Sequence, residues 1–104
     1  MITVTICGSM RFEKEMRKIA FFLETRHQIN VLQCVYAPEN SVLTESEIAA
    51  LTQAHYRKID LSDGIYVVDI GGYIGESVRR EVDYAANHGK RIFYHSEYAN
   101  RTEE

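Results

Sequence analysis

The sequence predicts an α/β domain built as a doubly wound parallel sheet between two layers of helices. Three observations carry that prediction. Runs of β-branched residues alternate with stretches of helical periodicity, one run is apolar on both faces, and glycine or serine punctuates the junctions. Ile2, Val4 and Ile6 alternate with Thr3 and Thr5, the two-residue period of a first strand that stops at Cys7-Gly8-Ser9. Phe12, Met16, Ile19, Ala20 and Leu23 then recur at helical spacing, opposite Glu13, Lys14, Arg17 and Lys18, so an amphipathic helix is expected over residues 11–26. Residues 29–36 form a second β-branched and apolar run, which Ala37-Pro38-Glu39-Asn40-Ser41 ends in a loop. Thr44 and Glu47 have the spacing of a capping box. Ile48, Leu51, His55 and Lys58 or Ile59 continue one face of a second helix that ends near Asp60. The run 64–70 is too continuously apolar for an edge strand and reads as a central one, covered on both faces. After the loop Gly71-Gly72-Tyr73-Ile74-Gly75, Ser77 is the expected N-cap of a third helix with Val78, Val82 and Ala85 on its buried face. Gly89 ends that helix, residues 91–94 make a fourth strand, and the tail 100–104 is expected to fray.

Right-handed crossovers make strand order 2-1-3-4 the simplest arrangement, a three-layer, flavodoxin- or Rossmann-like α/β/α domain spanning residues 1–104. Strands one and three are then neighbours whose following helices leave on opposite faces. That geometry opens a small-molecule crevice at their C-terminal ends.

Whole-chain properties narrow the ligand. The 12 basic and 15 acidic residues are interleaved and sum to a formal charge of −3, which offers no general attraction for a nucleic-acid polymer or an anionic membrane surface. Cys7 and Cys34 have no paired spacing and are expected to be free thiols. His27, His55, His88 and His95 show no metal-ligand spacing, so neither a metal nor a cofactor is expected. No apolar run approaches membrane-spanning length and the first residues alternate like a strand, which points to the cytoplasm. A chain of 104 residues has a thin core, so self-association as a homodimer is expected to help close it.

Within the expected crevice, Gly8-Ser9-Met10-Arg11 combines close backbone approach, a hydroxyl, helix N–H donors and a guanidinium. Those groups suit a phosphate or carboxylate, whereas a simple capping role for Ser9 and a solvated Arg11 is the plainer alternative. Glu81 lies among Val78, Val82 and Ala85, on the core-facing stripe of the third helix, where a carboxylate is seldom left unpaired. Side chains lean towards a helix N-terminus, so Glu81 reaches back to the crevice, or else pairs with a nearby arginine as scaffold. Gly75 and Ser77 add a permissive loop and a hydroxyl at the same end of the sheet. Asp69 either bonds a sugar hydroxyl or is a satisfied turn residue, and His55 stands on the otherwise apolar face of helix two.

Taken together, Gly8-Ser9-Met10-Arg11 after strand one, Asp63 opening strand three, Gly75-Glu76-Ser77, Glu81 and Lys90-Arg91-Ile92 resemble the nucleoside 2-deoxyribosyltransferase-like family, most closely its 2'-deoxynucleoside 5'-phosphate N-hydrolase branch. Glu81 stands nine residues before Lys90, as the family's helix glutamate does before its last strand. The resemblance covers nearly the whole chain. It implies that Glu81 is the nucleophile on the sugar, and that Gly8, Ser9, Arg11 and Ser77 hold the substrate's phosphate end. Two positions depart from the pattern: His55 stands where the family has an aspartate that assists the departing base, and Thr5 where the hydrolases have a tyrosine. The base-assisting role then falls to His55, Asp60 or Asp69. The expected function is cleavage or transfer at the N-glycosidic bond of a nucleoside or its 5'-monophosphate. The alternative from another class is a module that binds or senses a nucleotide in the same crevice without cleaving it.

Overall fold

A computed structural model describes the backbone of residues 1–102 and the side chains of residues 1–99. In chain order the elements are β1 (Thr3–Gly8), a 3-10 turn (Met10–Phe12), α1 (Glu13–His27), β2 (Asn30–Leu32), α2 (Glu45–Asp60), β3 (Gly64–Val68), a second 3-10 turn (Ile70–Gly72), α3 (Glu76–Asn87), β4 (Arg91–Tyr94) and α4 (His95–Thr102). The strands form one all-parallel sheet of order β2-β1-β3-β4, the predicted order.

Strand alternation divides the core into two layers. Val4, Ile6, Tyr66 and Val68 face α1, where they meet Met16, Ile19, Ala20 and Leu23. Cys7, Ile65 and Val67 face the other way, against Ile59 of α2 and Val78 and Ala85 of α3. All five residues of β3 are buried, as its unbroken apolar run requires. Fully burying side chains such as Ile6, Leu23 and Ile65 stabilises the fold by about 1.5–3 kcal/mol each. The capping box forms as expected, with the Thr44 hydroxyl accepting from the Glu47 amide (3.1 Å) and the Glu47 carboxylate accepting from the Thr44 amide (2.9 Å).

Four expectations need correction. β2 spans only Asn30–Leu32 rather than 29–36, because it is an edge strand and its ladder with β1 stops at Thr5↔Leu32. Beyond that point the Cys34 thiol donates to the Ile6 carbonyl (3.5 Å), and the chain turns over the strand ends. α3 begins two residues earlier than expected. Gly75 is its N-cap and Ser77 lies inside the first turn, where Glu76 favours the helix dipole and pairs with Arg80 at 2.9 Å. The first half of α2 does not reach the sheet core, for Ile48 is 51% exposed and only Ile59 of this helix is buried. Finally, β4 runs directly into α4, so the tail is helical through Thr102; residues 103–104 of the expected frayed segment lie outside the described residues. No helix among the described residues is long and apolar enough to cross a membrane.

Gly64 fixes the junction of β3 and β4. A Cβ at this position would come within 2.6 Å of the Arg91 carbonyl oxygen and 3.1 Å of the Arg91 Cβ. Gly64→Ala is therefore expected to cost about 1–3 kcal/mol, seen as a lower urea midpoint with the helical circular-dichroism signal retained.

Candidate functional site

Where β1 ends, the segment 33–44 swings away from the sheet and leaves a crevice of about 360 Å³ between itself, α2 and the start of α3. That volume is in the range of small-molecule sites. One wall is apolar and comes from Val35, Leu43, Ile48 and Leu51. The opposite side is polar, with Ser9, His55, Lys58, Ser77 and Glu81. Gly8, Met10 and Gly75 complete the edge formed by the two glycine-containing loops. The apolar start of α2, which contributes little to the core, thus lines the crevice instead.

Glu81 projects from α3 and is 15% exposed; it pairs with no arginine among the described residues. Its Oε1 lies 3.4 Å from His55 Nε2, on α2, and the imidazole is itself 12% exposed. The same Nε2 lies 3.4 Å from Cys7 Sγ at the end of β1. Burial alone would lower the His55 pKa, but hydrogen bonding to Cys34 and Glu81, together with the charge on Glu81, outweighs it and raises the value to about 9. His55 is therefore an imidazolium at neutral pH and forms an ion pair with Glu81. Burial, and secondarily the Glu81 charge, pushes the Cys7 thiol well above its ordinary value. A completely buried neutral thiol is a hydrogen-bonding neighbour and not a nucleophile.

Several predicted residues meet at this crevice, and two do not. Gly8, Ser9, Met10, His55, Gly75, Ser77 and Glu81 all line it. Ser9 also caps the first 3-10 turn, its hydroxyl accepting from the Arg11 amide at 3.3 Å, so the plainer role assigned to it is real. Arg11 is absent from the lining: its guanidinium stacks on the Tyr73 ring, 3.8 Å from the centroid, and joins the loop after β1 to the loop after β3. Asp69 is 93% withdrawn from solvent by burial (7% exposed) and is likewise outside the lining. Its two carboxylate oxygens accept from the Ser96 amide (2.8 Å) and the Ser96 hydroxyl (2.7 Å), which holds the first turn of α4. The satisfied-residue alternative is thus the observed one. Thr5, the other departure from the family pattern, is fully buried and shares a hydrogen bond of 2.7 Å with Ser62. Asp60 accepts from the Tyr84 hydroxyl on the outer side of α2.

Sequence reasoning missed Lys58, Cys7 and the apolar wall. Lys58 follows His55 by three residues, a spacing that places both on one helix face, and this was the available signal. Comparison of the chain with protein-family models, with curated proteins and with solved structures gave no match.

Two tests follow from these contacts. The His55 pKa rises on folding from 6.5 to about 9, so the folded state holds the proton more tightly. The stabilisation is complete below about pH 6.5 and is lost as pH rises through about 9. Melting temperatures across that window should fall more steeply for the wild type than for His55→Gln. Asp69→Ala should lower stability by about 1–2 kcal/mol in urea titration, since it strips both acceptors from the start of α4.

Proposed function

We propose that the crevice binds a nucleoside or its 5'-monophosphate and that the chain cleaves or transfers at the N-glycosidic bond, in the manner of the nucleoside 2-deoxyribosyltransferase-like family. The observation that carries this reading is the Glu81 carboxylate, largely withdrawn from water at the crevice and 3.4 Å from the His55 imidazolium. A carboxylate beside a proton donor is the pair needed to break a glycosidic bond. Glu81 attacks the anomeric carbon, the C1'–N bond breaks with its electron pair going to the base, and His55 protonates the departing nitrogen. Water or a second base then attacks the anomeric carbon, releases Glu81 as a carboxylate, and gives its proton to the neutral His55.

The lining supports the substrate class. The apolar wall of Val35, Leu43, Ile48 and Leu51 suits a base, and the polar side suits a sugar. A phosphate would meet Ser9, Ser77 and the amides opening α3, with Lys58 providing the cation that Arg11 does not bring to the lining. A second reading is a nucleotide-binding module without turnover, favoured by the existing His55–Glu81 pair, which already engages the carboxylate.

Incubation with deoxy- and ribonucleosides and their 5'-monophosphates, reading free base by chromatography, separates the two. Base release reduced at least about a hundredfold by Glu81→Gln supports the glycosidic reading. Thermal stabilisation by a nucleotide with no base released would replace it with the binding module. Neither release nor stabilisation would sink both.

A further inference from the structure

Cys7, His55 and Glu81 come from three separate elements, β1, α2 and α3, and one ligand atom from each lies within 4.8 Å of the other two. We propose that these three side chains bind a zinc ion through Cys7 Sγ, His55 Nε2 and a Glu81 carboxylate oxygen, leaving a fourth position open to the crevice. The inference stands apart from the glycosidic reading, because it concerns the chain with no nucleotide present.

Distances favour this assignment. Zinc bonds of about 2.3 Å to sulfur and about 2.0–2.2 Å to nitrogen or oxygen put the corners of a tetrahedral site roughly 3.3–3.6 Å apart. The Cys7–His55 and His55–Glu81 separations are 3.4 Å each. Two of three edges already have the length a zinc site needs, and the third, within 4.8 Å, closes by a small movement of the Glu81 side chain. A thiolate, an imidazole and a single carboxylate select zinc over magnesium or calcium, which prefer all-oxygen shells. Three protein ligands with a vacant fourth position is the pattern of an open site, and His55 and Glu81 both border the crevice from which water would enter.

Binding displaces two protons, one from the Cys7 thiol and one from His55 Nε2, and both go to solvent. The ion takes the place of those protons between the three side chains. It also occupies His55 Nε2, the proton donor of the glycosidic step, and draws electron density from the Glu81 carboxylate that attacks the sugar. The zinc-loaded and nucleophilic forms of the site are therefore mutually exclusive.

Cobalt(II) titration of the chelator-treated protein tests the assignment, with zinc displacement and calorimetry alongside. One cobalt per chain is expected, with a thiolate-to-cobalt charge-transfer band that zinc abolishes. Cys7→Ser should remove the band while Cys34→Ser retains it. His55→Asn and Glu81→Gln should each weaken zinc binding by more than about tenfold, since loss of even an outer-shell partner weakens a site on that scale. The last two variants decide the matter if Cys7→Ser does not fold. Absence of stoichiometric binding by the wild type would overturn the proposal. So would a band that follows Cys34 instead of Cys7, or zinc affinity unchanged in both His55→Asn and Glu81→Gln.

Discussion

The in-register pairing of β1 with β3, from Val4↔Gly64 to Gly8↔Val68, governs everything else in this molecule. These two strands are the centre of the sheet, and the residues that follow them must separate because α1 packs on one face and α3 on the other. Loops ending in Ser9 and Gly75 are consequently brought to the same end of the sheet without any contact designed between them. The Arg11 guanidinium over the Tyr73 ring then ties the two loops together from outside.

Once that geometry is set, Glu81 presents an electrostatic problem. A carboxylate facing the core layer of a helix needs compensation, and no arginine among the described residues provides it. His55 does so from α2, at the cost of desolvating its own ring, and the balance favours the protonated imidazole. Cys7 beneath the pair is neutral and small, so it fills the remaining space without adding charge. The arrangement joins three elements that share few other polar contacts.

What could be read in the sequence was what depends on local period. The alternation in residues 2–6, the capping box at Thr44 and the unbroken apolar run before Asp69 marked the two central strands and the second helix, and the regular alternation of elements implied the sheet order. Glu81 was legible because its neighbours at helical spacing are apolar. What depends on distant partners was not. The helix α4 draws its cap from Asp69, 27 residues before Ser96, and no local signal marks it. The meeting of Cys7, His55 and Glu81 is equally invisible to spacing rules, since each residue belongs to a different element. Arg11 shows the opposite error: a loop composition suited to anions, with its cation diverted to an aromatic ring chosen by tertiary packing.

The brevity of β2 has a consequence for how such a domain can diversify. Only Asn30–Leu32 is bound to the sheet by a ladder, and the segment 33–44 that forms the crevice wall is free of any register with its neighbours. Cys34 and Tyr36 still pack against the α1 layer, but insertions, deletions and exchanges over 37–44 leave the pleat and both core layers untouched. One side of the crevice and the scaffold are thus separable in this chain, able to be altered independently. Val35, Ala37 and Leu43, which line one side of the crevice, belong to the part of the polypeptide that the sheet constrains least.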